Sequence, residues 1–314
     1  MIEVKAMKGP VVTHPVLQVQ GGVSTKRVDI LVTEEPLEIR LGHGAEEDRK
    51  EVRLSVTMRT PGNDEELAMG FLFTEGIINS PAEVLRVVPC ENVKEEERGN
   101  VIRAELHPEV ELDPAKWQRN FYTSSSCGVC GKTSIEAVRT QCKTRPAPFG
   151  EADPKVITAL PDRMREAQTV FKHTGGIHAA ALFDREGNLL ILREDVGRHN
   201  AVDKVIGTML GVQSVEAVGS WQSASAVPDT LYPIPGTSNS NHQPPITNCI
   251  LLVSGRAGFE LVQKCLMAGI PLMAAVGAPS SLAVQLAKEG GLTLIGFLRG
   301  ERFNVYADGV EPVG

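Results

Sequence analysis

Apolar and polar positions are organised differently in the two halves of the chain. Residues 28–32 and 37–41 flank the Glu35-Pro36 break as strand-like stretches, and Leu37-Glu38-Ile39-Arg40-Leu41 alternates as a half-buried strand does. Residues 42–51 read as a polar turn, and alternation returns over 52–58 before Pro61-Gly62-Asn63 closes the strand. Asn63 is placed to cap a helix whose first turn holds Asp64, Glu65 and Glu66, the sign that favours the helix dipole. Leu67, Met69, Phe71 and Leu72 continue it, and Glu75-Gly76 can end it. Residues 101–106 predict another strand, and the first 25 residues, with no clear period, predict a loose arm.

The second half is more regular. Thr174-Gly175-Gly176 precedes two apolar runs, 177–183 and 189–192, and Asp184-Arg185-Glu186-Gly187-Asn188 joins them as a hairpin loop. Ala201, Val202, Val205, Ile206, Met209 and Leu210 recur with helical period on one broad face. From residue 250, strand-like runs at 250–253, 271–276 and 292–298 alternate with helical stretches at 259–268 and 280–289, the second capped by Ser280. Such βαβαβ order predicts a mostly parallel sheet covered by helices, the last strand being 292–298. Residues 220–248, with five prolines, break the pattern as a long loop. The change in character before Ser124-Ser125-Ser126 puts a domain boundary near residue 115. The chain thus divides into 1–115, a smaller α+β domain with an arm, and 116–314, an α/β domain.

Composition narrows the function classes. The 314 residues are 42% hydrophobic and 23% charged, ordinary for a soluble globular protein. No run nears the ~18 apolar residues of a membrane span, and the first ten residues lack an apolar core of signal-peptide type, so the expected compartment is the cytoplasm. Net charge of −7 argues against a broad nucleic-acid-binding face while leaving room for a local anion pocket. Six scattered cysteines, at 90, 127, 130, 142, 249 and 265, do not resemble a disulfide scaffold.

The densest candidate chemistry is Ser126-Cys127-Gly128-Val129-Cys130-Gly131-Lys132. Two thiols two residues apart with glycine beside them can act in dithiol redox, bind zinc or carry sulfur, and Lys132 would favour the thiolate. No second Cys-x-x-Cys exists to complete a structural zinc site. A nucleobase deaminase needs His-x-Glu before Pro-Cys-x-x-Cys, whereas here His178 follows the pair and Ala180 stands in the acid's place. A second cluster, from Arg193 to Lys204, sits where a strand gives way to a helix, so Arg198 and the free amides of a helix start could hold an anion. The Gly175-Gly176 turn would let a ligand approach His178 closely. Ser254-Gly255-Arg256 ends a predicted parallel strand, where open α/β sheets bind ligands, and Phe297-Leu298-Arg299-Gly300-Glu301-Arg302 ends the last.

Together these blocks resemble the FdhD family of formate dehydrogenase accessory sulfurtransferases. The resemblance spans about residues 25 to 310. It includes Thr60-Pro61-Gly62 with Glu65-Glu66-Leu67, and Gly70-Phe71-Leu72-Phe73-Thr74-Glu75-Gly76. It continues through the Cys127–Cys130 block, the Thr174-Gly175-Gly176-Ile177-His178 turn, the Glu194 to Lys204 block, Ser254-Gly255-Arg256 and Phe259 to Lys264. It implies that a cysteine desulfurase gives persulfide sulfur to Cys127, with Cys130 its motif partner. The sulfur then passes to the bis(molybdopterin guanine dinucleotide) cofactor destined for the formate dehydrogenase catalytic subunit. It further implies that 297–302 bind this cofactor, that a guanine nucleotide can occupy the same site, that the chain forms a homodimer, and that the second domain is an α/β/α sandwich of cytidine deaminase-like fold without a metal. The 220–248 segment is longer and richer in proline than the resemblance leads one to expect.

Overall fold

The computed structural model describes residues 9–110, 145–211 and 248–309. The expected boundary near 115, the Cys127–Cys130 block and nearly all of the 220–248 segment lie outside them. The amino-terminal arm is an ordered ribbon: β1 (Val11–Gln20) and β2 (Val23–Val32) pair antiparallel around Gly21-Gly22. Both glycines have positive φ, 57° and 81°, as a two-residue hairpin turn of type I′ requires. Valines on both faces of the ribbon hide its period, which is why the sequence reads there as a loose arm.

A four-stranded sheet follows, in the order β4-β3-β6-β5. Its strands are β3 (Glu35–His43), β4 (Lys50–Arg59), β5 (Val84–Pro89) and β6 (Val101–Leu106). Helix α1 (Asp64–Thr74) covers one face, where Leu67, Ala68, Met69 and Leu72 meet Leu37, Ile39, Leu41, Ile102 and Ala104. The opposite face carries an ion-pair ladder in which Arg40 pairs with Glu38 and Glu51, and Arg103 with Glu51 and Glu105. Asn63 does occupy the position before α1, but in the left-handed conformation (φ 57°), and its side chain accepts no helix hydrogen bond. Order at this corner comes instead from Arg59, buried and forked onto the Asp64 carboxylate at 3.0 and 2.9 Å.

The larger lobe is α/β. Its six-stranded sheet runs β12-β11-β10-β9-β7-β8. The hairpin β7 (His178–Phe183) and β8 (Leu189–Asp195) lies at one side. Strands β9 (Ile250–Val253), β10 (Leu272–Ala275) and β11 (Thr293–Arg299) are parallel, and β12 (Arg302–Asp308) returns antiparallel along β11. The sheet is therefore mixed rather than mostly parallel, and 292–298 is not its last strand. Arg299 and Arg302 face each other across the two-residue turn Gly300-Glu301, so the chain reverses without a crossover and escapes a βαβ reading.

Helices pack on both faces of this sheet. On one lie α4 (Arg198–Met209), α5 (Phe259–Met267) and α6 (Ser281–Gly290), burying Val202, Ile206, Leu261, Leu266 and Leu286 against Leu182, Leu251, Met273 and Leu294. On the other lies α2 (Pro154–Ala167), with Ile157, Leu160 and Met164 against Phe183, Leu252 and Ala274. Asp153 caps α2 through Lys155 N at 2.8 Å and Pro154 opens it, an entry signal present in the sequence. A short helix, α3 (Thr169–Thr174), leads into β7. Ser280 caps α6 as expected, accepting from Ala283 N at 3.2 Å.

Helices α1 and α4 join the lobes and cross with almost no side chain between them. A Cβ at Gly70 would sit 1.9 Å from the carbonyl oxygen of Asp203, and one at Gly207 1.9 Å from that of Glu66. Glycine at both positions lets the two backbones touch. We predict that Gly70→Ala or Gly207→Ala destabilises the protein by about 3 kcal/mol, because the helices must separate to admit one methyl group. Urea denaturation measures this as a lowered midpoint, and an unchanged midpoint would contradict the close crossing.

Candidate functional site

The polar block after β8 is the most heavily committed part of the molecule. Asp195, fully buried, accepts from the amides of Thr60 (3.1 Å) and Gly197 (2.7 Å) and from Asn200 Nδ2 (3.1 Å), and pairs with Lys204 at 2.7 Å. Lys204 also donates to the Thr60 carbonyl (2.9 Å), Asn200 to that of Met58 (2.7 Å), and the Val196 amide to Thr60 Oγ1 (3.1 Å). Arg193 forks onto Glu66 of α1 at 2.5 and 2.7 Å. Glu194 accepts from the amides of Val170 and Phe171, at 2.8 and 2.9 Å, at the start of α3. One turn into α4, Asp203 accepts from Thr74 Oγ1 at 2.8 Å and from Lys264 Nζ at 2.9 Å, and Lys264 reaches Glu75 at 3.1 Å.

Much of this block is therefore structural, whatever its helix start and Arg198 bind. Most of its polar groups, and the amide of Val196, join the two lobes to each other, while the Gly197 amide holds Asp195 in place. Thr60, Glu66, Thr74 and Lys264 complete the network. For Glu66 and Lys264 the signal in the sequence was charge set within otherwise apolar helical stretches, whereas Thr60 and Thr74 gave none. Burial opposes the Lys264 ammonium, yet Asp203 and Glu75 outweigh it and hold its pKa above the ordinary 10.5.

Arg198 and His199, both half-buried, begin α4 beside this network. His199 Nε2 lies 3.6 Å from Glu260 in the first turn of α5, an ion-pair distance rather than a hydrogen bond. Burial alone would raise the Glu260 carboxyl. His199, the helix-start backbone and Arg198 together hold it below its ordinary value. The exposed His178 is pushed below its ordinary value, by partial burial first and then by Arg198, so its imidazole is neutral at pH 7.

Beside these groups the three parallel strands end in register. Val276 N donates to Val253 O (3.1 Å), Gly277 N to Gly255 O (2.9 Å) and Phe297 N to Gly277 O (3.0 Å), carrying the ladder past the strands into one rim. Ser254 exchanges backbone and side-chain bonds with Ala179: its amide donates to Ala179 O, and its Oγ accepts from Ala179 N. This ties β9 to β7 and sets the His178 ring 3.6 Å from where a Gly255 Cβ would lie. Arg256 is exposed, its stem lying over Gly277, and Arg299 Nε reaches Val276 O at 3.3 Å. Ser254, Arg256, His178, Phe297 and Arg299 thus share one edge, with Arg198 bearing on His178. Gly300, Glu301 and Arg302 form the exposed turn next to it, whereas the Leu298 side chain is fully buried in the core.

Cys127, Cys130 and Cys142 lie outside the described residues. Of the other three cysteines, Cys249 and Cys265 are buried and Cys90 lines a separate hollow of about 480 Å³ with Arg40, Glu51 and Arg103. Burial pushes all three thiols up, Cys249 to about 11. None is a ready thiolate at neutral pH. Among the described residues no helix is long and apolar enough to cross a membrane.

Comparison with known proteins places these features. The FdhD/NarQ family pattern matches residues 32–219 and 235–311. The sulfur carrier protein FdhD of Streptomyces avermitilis is 47% identical over 296 residues, covering 93% of this chain and 92% of that protein. That of Mycolicibacterium paratuberculosis is 46% identical over 302 residues, 94% of each chain. A solved structure from Desulfotalea psychrophila, described as a formate dehydrogenase accessory protein, has the same fold. It gives a TM-score of 0.63 at 22% identity and covers 95% of this chain and 96% of that one. The chain belongs to the FdhD/NarQ family, as its ordered motif blocks implied. The gap between the two matched stretches, 220–234, falls within the proline-rich segment that departs from the expected pattern.

We predict that Lys264→Met costs about 3–5 kcal/mol, because it leaves the Asp203 carboxylate buried without its cation. The double variant Lys264→Met/Asp203→Leu should recover most of that loss in the same denaturation assay. Equal destabilisation of the single and double variants would contradict the pairing.

Proposed function

We propose that this chain is a cytoplasmic sulfurtransferase that takes persulfide sulfur from a cysteine desulfurase onto Cys127 and passes it to bis(molybdopterin guanine dinucleotide), so that formate dehydrogenase can become active. One observation carries this reading: relatives that match nearly the whole chain at 46–47% identity are named sulfur carrier proteins. The chain's Ser126-Cys127-Gly128-Val129-Cys130 block supplies a thiol pair of the kind that carriage needs. The raised pKa values of Cys90, Cys249 and Cys265 support it, since they leave those thiols poorly suited to the work. The layers of the larger lobe support the cytidine deaminase-like reading of its fold, and family membership supports a homodimer.

The chemistry balances with the residues of the motif. The desulfurase's persulfide gives its outer sulfur atom to the Cys127 thiolate and is left as a thiol, making Cys127–S–SH. Leaving again as sulfide, that atom needs two electrons. Cys130 supplies them when its thiolate attacks Cys127 Sγ, forms the Cys127–Cys130 disulfide and expels HS⁻. A small thiol reductant then restores the pair. The rim supplies the other half of the task. Arg256, Arg299 and Arg302 offer forked donors to the phosphates of the substrate, and His178, Arg198 and Ser254 border the same edge. Neutral His178 can both donate and accept a hydrogen bond there.

The test is to incubate the protein with a cysteine desulfurase and free cysteine and to measure intact and peptide mass. We expect one or more added sulfur atoms on Cys127, removed by reductant and absent from Cys127→Ala. No gain on either motif cysteine, beside an active desulfurase control, would overturn carriage and favour escort of the cofactor to its apoenzyme.

A further inference from the structure

The ribbon of β1 and β2 carries more apolar surface into water than its function as a connector would need. β2 approaches the larger lobe at α3, yet from Val23 to Asp29 it is exposed throughout. The register puts the pairs Thr13–Ile30, Pro15–Val28, Leu17–Lys26 and Val19–Ser24 on one face. On that face Leu17 is 61% exposed, Val19 63% and Val28 70%. A two-stranded hairpin is marginal in water by itself, and an exposed apolar row of this length marks an interaction surface.

The two edges of the ribbon differ. Gln20 and Val23 flank the two-residue turn as a hydrogen-bonded pair, so by alternation the backbone groups of Ser24, Lys26, Val28, Ile30 and Val32 point away from β1. The Ile30 amide agrees, since it donates to Asp29 Oδ1 at 2.9 Å. On β1 the outward row includes Pro15, which has no N–H and guards that edge. β2 has neither proline nor glycine, so its edge is an open template for another strand. The charges on β2 say which strand fits. In a two-fold antiparallel pair of β2 with β2 of a second copy, centring on Val28 opposes Val28 to its own counterpart and Lys26 to Ile30. It also opposes Arg27 to Asp29, twice. Centring one residue to either side would instead set Arg27 against Arg27 or Asp29 against Asp29. Opposite charges directly across a strand pair stabilise it and like charges do the reverse, so the pattern selects one register.

We infer that the free edge of β2 is a docking surface for a second copy of this chain, the two ribbons joining β2 to β2, centred on Val28, as one four-stranded antiparallel sheet. This rests on the homodimer reading above and adds to it the surface, the register and the ion pair that fixes it. The contact is isologous, because each copy gives Arg27 to Asp29 of the other. On association the Ile30 amide passes from Asp29 to the Lys26 carbonyl of the second copy, which frees Asp29 for Arg27. The apolar face of one ribbon then continues into that of the other through the two Val28 side chains.

The experiment is sedimentation velocity of the full chain over a concentration series, with charge-reversed variants at exposed positions. Arg27→Asp and Asp29→Arg should each weaken self-association roughly ten-fold or more. An equimolar mixture of the two should associate as wild type does, because each supplies the charge that the other lacks. A merely structural effect of either substitution would not be repaired by mixing. Independently, Val28→Cys should form a disulfide between two copies on mild oxidation, since a hydrogen-bonded antiparallel pair sets Cα atoms about 5.5 Å apart, within disulfide reach. Peptide mass assigns the linkage, and Val19→Cys, which lies on β1 away from the axis, should give none at its own position. A wild-type dimer unmoved by both charge reversals, with no linkage at Val28→Cys, would overturn the ribbon contact while leaving the homodimer standing. A wild-type chain that stays monomeric throughout the series would overturn the homodimer and the inference with it.

Discussion

The contact between α1 and α4 constrains most of the rest. With Gly70 and Gly207 at the crossing, the two helix backbones approach to a distance that no side chain could share. That proximity brings Glu66 to Arg193, Thr74 to Asp203, and the Thr60 backbone to Asp195 and Lys204. Charges buried at such a joint would be costly if unmatched. Here each of these carboxylates has a cation or several donors, so the joint favours one arrangement of the lobes over a range of them.

This joint also serves the rim. Helix α4 begins with Arg198 directly after the strand that carries Asp195, so anchoring Asp195 to Thr60 fixes where Arg198 and His199 emerge. Lys264, in α5, is fastened to Asp203 and Glu75, which sets the helix whose first turn carries Glu260. The smaller lobe thus steadies two of the elements that border the candidate binding edge, although none of its own residues lies on that edge among those described above. Phe297, with a positive φ of 52°, sits on the opposite side of the rim, where β11 is bulged.

Much of this was legible in the sequence. Period-two alternation in β3 and β4, helical period in α4, and the strand-helix alternation after residue 250 depend on local burial, which a single chain displays. The carboxyl ends of β9 and β11 were legible as one sheet edge for the same reason. Other features depend on partners far apart in the chain. The role of Asp195 stays hidden until Thr60, 135 residues away, is seen to bond it. The ribbon of β1 and β2 was hidden by valines on both of its faces, although Gly21-Gly22 carried its turn. Strand β12 was hidden by a turn of two residues. The positive φ of Phe297 has no local signature, because Pro279 and Tyr306 confine Gly296 before it and the core holds Leu298 after it.

The central claim is that sulfur travels from Cys127 to the cofactor before formate dehydrogenase becomes active. The most direct measurement loads the protein with radiolabelled persulfide sulfur, adds bis(molybdopterin guanine dinucleotide) and the apo-dehydrogenase, and follows label and activity together. The account predicts that label leaves Cys127, appears on the cofactor, and rises in proportion to formate oxidation. Full activity with the label still on Cys127 would contradict it.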